Sequence, residues 1–400
     1  MSGGKAKPLT GYTAHNRVKL LKGGSAYFKL LEELIDKAIH SIHLQVYIYE
    51  ADETGSRITE ALLRARRRNV EIYLLIDGYA SSSLPTHVIE QLNNSGIHFR
   101  WFETIFKGKG LYVGRRMHHK ILVVDGIYSL VGGLNISDRY NDLPDQPAWL
   151  DWAVYTEGEA SAELFARCVV MWTKSKHKKE TFPIPITWSA VLTPKEECLV
   201  RIRTNDWVRN KNQVTRSYLE MFDHAVNDLI IMSSYFLPGR IFRKNMAKAA
   251  KRGVRVRVIL AGDSDIKLAK AAELFLYSWL FHKGIEVYEF RKTVLHGKIA
   301  VIDGQMVTVG SYNINNMSAY ASIELNLDVN NRPFGQEVQT KLEEVIEKDC
   351  IKILPALYLK KLTIYSRTKQ WVAYELVRFI FFLFTFYFKQ DGSGRRPMRD

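Results

Sequence analysis

Two short stretches of this 400-residue chain carry the same six polar or small residues at the same intervals. The first holds His118, Lys120, Asp125, Gly132, Gly133 and Asn135, and the second holds His296, Lys298, Asp303, Gly310, Ser311 and Asn313. Both read HxKx4Dx6G(G/S)xN. One His-x-Lys by itself is usually a satisfied histidine beside a surface lysine, but six matched positions repeated in one chain are not accidental. Imidazole, ammonium and amide groups gathered around one point suit a phosphate, since an imidazole can attack or transfer a proton and an ammonium can neutralise an oxyanion.

Such a cluster needs strands to place it. Lys120–Val124 and Lys298–Ile302 are apolar runs ending in Asp-Gly, the pattern of a buried strand entering a hairpin, with partner strands at Tyr128–Val131 and Met306–Val309. Side chains alternate along a strand, so His118 and Lys120 share one face and His119, which has no match in the second copy, points to the other. The glycines clear side chains and let a phosphate approach the backbone. Asp125 and Asp303 are expected to hold backbone N–H groups or the nearby lysine at their turns.

The flanking elements repeat as well. Tyr27, Leu30, Leu31, Leu34, Ile35 and Ala38 form a helical stripe, followed by a strand over Ser41–Tyr49, a helix over Ile58–Arg68 and a strand over Val70–Ile76. The order returns with the stripe Tyr218, Met221, Phe222, Ala225, Val226 and Leu229, a strand over Leu229–Phe236, a basic helix over Ile241–Arg252 and a strand over Val254–Leu260. Val254 follows Val70 by 184 positions, a domain-sized duplication. Two α/β halves packed about a pseudo-twofold axis are expected.

With 46% hydrophobic and 12% aromatic residues, intrinsic disorder is excluded as the main state. The 57 Lys and Arg against 42 Asp and Glu leave +15, which calls for a polyanionic partner, either nucleic acid or an anionic membrane face. Cys168, Cys198 and Cys350 have neither paired nor CxxC spacing and read as reduced thiols of a cytosolic protein. Met1–Ala14 has no apolar run of a secretory signal. Thr173–Glu197, with Lys174, Lys176, Lys178 and Lys179 before Pro183, Pro185 and Pro194, reads as an exposed connector. The ten residues Phe379–Phe388 read FIFFLFTFYF, flanked by Lys360, Lys361, Arg367, Lys369, Lys389, Arg395, Arg396 and Arg399. Spanning a bilayer takes about 20 apolar residues. An interfacial helix on an anionic surface is therefore expected, the alternative being a helix buried against the second half.

In its doubled HxKx4D motif the chain resembles the phospholipase D superfamily over about residues 15–345. Within it, Tyr47-Ile48-Tyr49, Asp77-Gly78-Tyr79, Arg115-Arg116-Met117-His118 and Tyr235-Phe236-Leu237-Pro238-Gly239 are similar to the short, cardiolipin synthase B-like branch of bacterial cardiolipin synthases, which lack N-terminal transmembrane helices. The resemblance implies two phospholipase D-type α/β/α domains, 15–172 and 198–348, with the active site between them. A flexible tail (1–14), a linker (173–197) and a membrane-associating segment (349–400) complete that division. It also implies a catalytic set of His118, Lys120, Asp125, His296, Lys298 and Asp303, with His118 as nucleophile and His296 as acid/base, although the symmetry of the motifs permits the reverse. Asp151 and Glu324 match family carboxylates that orient an active-site histidine through Nδ1. Leu150, Asn315 and Ser322 stand where cardiolipin synthases often have Arg, Asp and Asn, which leaves head-group and acceptor preference open.

The implied chemistry is covalent. One histidine attacks phosphorus to give a phosphohistidine while the other, protonated, donates to the departing alkoxide; an incoming alcohol then reverses the roles. Lys120 and Lys298, helped by Asn135, Asn313 and the small residues Gly132, Gly133, Gly310 and Ser311, would accommodate the charged phosphate, the task of metal ions in many phosphoryl transferases, so no metal and no other cofactor is expected. One neutral and one protonated imidazole predict a bell-shaped pH dependence. The expected reaction joins two phosphatidylglycerol molecules and releases glycerol, with the protein peripheral on the cytoplasmic face of the inner membrane and an anionic phospholipid as substrate. The loop Phe106–Arg116 is expected to border the lipid entrance. Three alternatives remain: hydrolysis to phosphatidic acid, a nucleic-acid phosphodiesterase, which leaves the aromatic tail without a role, and a catalytically silent membrane scaffold, against which two intact motifs argue.

Overall fold

The computed structural model describes residues 11–104, 106, 107, 110, 111, 115–173, 181–193, 196–206, 209, 211–315 and 322–391. Residues 1–10, Lys174, Lys176, Lys178 and Lys179, most of the 106–116 loop, and Arg395, Arg396 and Arg399 lie outside the described residues, as do the side chains of 382–391.

The first half runs β1 (Asn16–Lys22), α1 (Ser25–Lys37), β2 (Ser41–Val46), α2 (Glu53–Arg67), β3 (Glu71–Asp77), α3 (Thr86–Asn94) and β4 (His98–Phe102). It continues with β5 (Phe106–Lys107), β6 (Gly110–Leu111), β7 (Arg116–Met117), β8 (Lys120–Val124), β9 (Tyr128–Gly132), β10 (Trp152–Gly158) and α4 (Glu159–Thr173). The second half runs β11 (Leu199–Asp206), β12 (Lys211–Asn212), α5 (Gln213–His224), β13 (Asp228–Ser233), α6 (Arg240–Lys251), β14 (Arg255–Ala261), α7 (Lys267–His282) and β15 (Glu286–Phe290). It ends with β16 (Lys298–Ile302), β17 (Met306–Gly310), β18 (Ser322–Asn330), α8 (Arg332–Asp349), β19 (Cys350–Lys352), α9 (Pro355–Lys361) and α10 (Ile364–Asp391).

The duplication is visible strand by strand. The first sheet has the order β1-β10-β9-β8-β2-β3-β4, and the second repeats it as β11-β18-β17-β16-β13-β14-β15, with β12 and β19 added at its edges. In each, the motif strand lies at the centre, antiparallel to the first strand of a parallel trio. Helices α1 and α2 cover the outer face of the first sheet through Phe28, Leu31, Ile58 and Leu62, and α5 and α6 cover the second through Tyr218, Phe222, Phe242 and Met246. One apolar core joins the halves: Ile121, Val131 and Trp152 of the first sheet meet Met232, Ile299 and Val309 of the second, with α4 and α8 completing it.

Local chemistry moves several boundaries. Helix α2 starts at Glu53, ahead of the apolar stripe, because the Asp52 carboxylate accepts the Gly55 N–H at 2.9 Å and caps it. Helix α5 stops at His224 although the apolar spacing continues to Leu229, because Asp303 takes the N–H groups of Val226, Asn227 and Asp228 and turns the chain into β13. Thr13 is tied to Val200 by a backbone hydrogen bond, so the ordered fold reaches into the expected tail, and β19 carries the second sheet past residue 348. The connector is not simply exposed: Ile186 N–H donates to the Asp125 carbonyl, the Trp188 indole donates to Glu157, and Leu192 is buried. Helix α10 lies against α7 through Ala373 and Val377, while Ile364, Tyr365, Trp371, Val372, Leu376 and Phe379 face outward. It is thus both docked on the second half and apolar on its free side. Among the described residues no helix is long and apolar enough to cross a membrane.

Candidate active site

Each motif histidine stands two residues before its central strand, and the backbone there leaves its own half. Strand β7 pairs in parallel with the start of β18, so the His118 N–H donates to the Ile323 carbonyl at 3.0 Å. In the second half the His296 N–H donates to the Leu150 carbonyl at 2.8 Å, and the Leu150 N–H donates to the Val294 carbonyl at 2.9 Å. Ile323 precedes Glu324 and Leu150 precedes Asp151, so each histidine is laid beside the other half's acid. His118 Nδ1 is 2.9 Å from Glu324 Oε2, and His296 Nδ1 is 2.5 Å from Asp151 Oδ2. Both acids are completely buried. A carboxylate on Nδ1 fixes the tautomer and leaves Nε2 as the reactive nitrogen.

The two lysines close the cluster. Lys120 Nζ donates to the His118 carbonyl and Lys298 Nζ to the His296 carbonyl, with Lys298 Nζ also 3.8 Å from Asp151. Burial pushes His118 below its ordinary value, with Lys120 adding to the effect and Glu324 opposing it. Burial and Lys298 push His296 down to about 4 against the pull of Asp151. Burial likewise lowers Lys120 to about 7, opposed by Glu324, and lowers Lys298, opposed by Asp151. Lys298 also acts on His118, and Lys120 on His296, so the four groups share one field across the two halves. A bound phosphate anion would raise all four.

The remaining residues of the repeat each contact neighbouring protein groups. Asp125 and Asp303 lie at the far ends of their strands, outside the cluster. Asp125 accepts the N–H groups of Ile39, His40 and Ser41, and Asp303 accepts those of Val226, Asn227 and Asp228. Both have φ near +50° and are followed by glycines of positive φ, as a tight hairpin turn requires.

The space beside the motif glycines is filled by protein rather than left for phosphate. A Cβ on Gly133 would lie 2.4 Å from both Asp151 carboxylate oxygens, and one on Gly132 would strike the Trp152 carbonyl. A Cβ on Gly310 would strike the Leu325 carbonyl, and the Ser311 hydroxyl donates to Glu324 Oε2 at 2.5 Å. Gly133 therefore makes room for Asp151 and Ser311 holds Glu324, while Gly132 and Gly310 make room for the backbone that follows each acid. Asn135 accepts the Ile48 N–H at 3.0 Å and donates to the Tyr140 hydroxyl at 2.9 Å, while Asn313 accepts from the Ser234 hydroxyl at 2.8 Å. Each asparagine braces the segment leaving its neighbouring central strand. His119, on the opposite face, is 2.8 Å from Gln45 Oε1.

Two tyrosines complete the cluster without having been singled out as site residues by the motifs. The Tyr140 hydroxyl is 3.5 Å from His296 Nε2, and the Tyr47 ring lies 4.8 Å from the His118 ring and 5.0 Å from Lys120 Nζ. Ser234, not a tyrosine, follows the strand equivalent to the one before Tyr47, so repetition could not reveal it. Among the described residues no group of three or more His, Cys, Asp or Glu side chains could hold a metal ion.

Known proteins share this architecture. The cardiolipin synthase, PLD-like domain family matches residues 31–150 and 218–346, one segment in each half. Cardiolipin synthase B of Salmonella typhi is 32% identical over 92% of this chain and 89% of its own length. Cardiolipin synthase B of Escherichia coli strain K12 is 31% identical over 91% and 88%. The crystal structure of phosphatidylserine synthase from Haemophilus influenzae superposes with a TM-score of 0.71 at 16% identity, covering 92% of this chain and 95% of that one, a likeness of fold. With the two halves matched separately and the relatives aligned over nearly their whole lengths, the chain belongs to the PLD-like cardiolipin synthase family.

Proposed function

We propose that this protein is a phosphatidyltransferase that joins two phosphatidylglycerol molecules into cardiolipin and releases glycerol. The observation that carries the reading is the crossed pairing of His118 with Glu324 and His296 with Asp151, which presents two Nε2 atoms and two lysines to one site. The names of its relatives supply the substrate class.

In this mechanism His118 Nε2 attacks the phosphorus of the first phosphatidylglycerol. The bond from phosphorus to the glycerol head group breaks, and the departing oxygen takes the proton of His296 Nε2. The phosphatidyl group rests on His118 while neutral His296 accepts the proton of the hydroxyl on a second phosphatidylglycerol. That oxygen attacks phosphorus and displaces His118. Lys120 and Lys298 offset the extra negative charge on the phosphoryl oxygens. Residues 15–172 and 198–348 act as the two catalytic domains, and the free apolar side of α10 rests on the cytoplasmic face of an anionic membrane.

Purified protein in mixed micelles of phosphatidylglycerol is expected to yield cardiolipin and equimolar glycerol, with His118→Ala inactive. Acid quench after exposure to lipid labelled at phosphorus should leave label on the parent protein and none on His118→Ala. Label kept by His118→Ala and lost from His296→Ala would reverse the two roles. Phosphatidic acid as sole product would make the protein a hydrolase, and absence of lipid turnover would favour a nucleic-acid phosphodiester.

A further inference from the structure

Two short runs, Asp77-Gly78-Tyr79 and Arg115-Arg116-Met117, have no part in the chemistry of the histidine pair, yet the fold joins them. Asp77 ends β3 and is completely buried. Its two carboxylate oxygens face different partners. Oδ1 accepts the N–H groups of Tyr79 at 3.0 Å and Ala80 at 3.2 Å, a turn within its own loop, and receives Arg116 Nη1 at 3.4 Å. Oδ2 reaches across to the Met117 N–H at 2.9 Å. Arg116 Nη1 also donates to the Glu103 carbonyl at 2.8 Å, which ties the start of β7 to the loop after β4.

Strand β7 has one backbone edge on the second half, where Met117 lies opposite Ile323 and the His118 N–H goes to the Ile323 carbonyl. Successive N–H groups alternate between the two edges of a strand, so the Met117 N–H points away from β18 and toward the first half. Met117 is completely buried, where an unpaired N–H would be costly, and Asp77 supplies the acceptor. The Met117 side chain packs with Tyr73, Leu75 and Phe102 of the first half and Ile323 of the second. The residue before His118 is thus gripped from both halves. The repeat does not carry this grip over. Ala261 stands 184 positions after Asp77, and its carbonyl accepts Lys270 Nζ. The next acids along that loop, Asp263 and Asp265, turn to Arg291 and the Tyr235 hydroxyl.

We propose that Asp77 is a positioning residue for His118 alone: through the Met117 N–H and Arg116 it fixes the segment that aims the His118 ring at Glu324 and at the reacting phosphorus. Its charge reaches the cluster as well, raising Lys120 against the effect of burial. The use of His118 as nucleophile rests on the phosphatidyltransferase reading; the placement of its ring does not.

The test is nuclear magnetic resonance of the full chain carrying isotope-labelled histidine, without lipid, beside steady-state kinetics on phosphatidylglycerol. The ring signals of His118 and His296 are identified by their loss in His118→Ala and His296→Ala. With Tyr79, Ala80 and Arg116 all donating on the Oδ1 side, Asp77→Asn keeps its oxygen there and turns its amide NH2 toward the Met117 N–H. Its His118 signals should shift or broaden while those of His296 stay in place. Its kcat should fall roughly tenfold or more, with KM changed less than about twofold. Arg116→Gln leaves the Met117 bond intact and tests the other arm should Asp77→Asn not fold; it should move the His118 signals alone and lower kcat about threefold. Equal movement of both histidines would reduce Asp77 to general support of the fold and overturn the proposal. Unmoved His118 signals would overturn it too, as would a kcat retained despite the shift. A parent protein that turns over no lipid, with the His118-selective shift still present in Asp77→Asn, would overturn the transferase reading and leave the positioning of His118 standing.

Discussion

Asp151 and Gly133 illustrate how a side chain and an absent one serve the same purpose. With both carboxylate oxygens 2.4 Å from where a Cβ would stand, Gly133→Ala must displace Asp151 from His296. A loss in kcat of roughly 10- to 100-fold is expected, with the folded protein retained, as steady-state kinetics beside circular dichroism would show. The pH profile offers a second check. Asp151 raises the His296 pKa against burial, so Asp151→Asn should lower it further and move the descending limb of kcat/KM to lower pH. A limb that does not move would remove His296 from the role of acid. In the parent protein, bound phosphate raises His296, so the same limb should lie at higher pH in kcat than in kcat/KM.

At the scale of elements, the hairpin aspartates and the first central strand make separate predictions. Asp303→Ala strips the acceptor from three N–H groups between α5 and β13 and should cost about 1–3 kcal/mol in urea unfolding, with kcat changed only a few-fold because the residue lies outside the cluster. His43 of β2 is stacked 4.7 Å from Tyr73 and edge-on to Phe165, neither ring nitrogen has a hydrogen-bond partner among the described residues, and burial pushes it down to about 3. Between its ordinary value of 6.5 and that value the unfolded chain binds a proton that the folded one does not, so stability is lost as pH falls through this window. His43→Phe should therefore lose about 2 kcal/mol less than the parent protein between pH 7 and pH 5, measured by denaturation at both. Turn and strand were legible from Asp-Gly and the apolar runs. The end of α5 was not, because Asp303 stops it from far along the chain.

Over the whole molecule, the halves share a core rather than a polar seam. Trp152 is 2% exposed, and its indole N–H lies 3.3 Å from Met232 Sδ of the second half. Trp152→Ala should cost about 3–5 kcal/mol. Both halves should unfold in one transition before and after the change, followed by fluorescence and far-ultraviolet circular dichroism in denaturant; two separated transitions would show that the shared core does not couple them. The same interface explains Gly297 opposite His119 in the repeat: a Cβ there would lie 2.6 Å from Met232 Sδ. Tyr140 escaped notice as a site residue because it meets His296 of the other half, whereas Tyr47 meets His118 within its own half and has Ser234 at the matching position of the repeat.

Sequence alone determined what local spacing controls: the doubled motif, the central strands that carry it, their Asp-Gly turns, the repeated α/β order and the family likeness. Each depends on residues near enough along the chain for periodicity and turn chemistry to act directly. Only the tertiary structure decided which acid meets which histidine, since those partners are 206 and 145 positions apart and come together through the backbone pairings of β7 with β18 and of Leu150 with the His296 segment. It likewise decided that Gly133 leaves room for the Asp151 carboxylate and that α10 docks by one side. Those outcomes depend on how two independently patterned halves close on each other, and no short-range pattern encodes that closure.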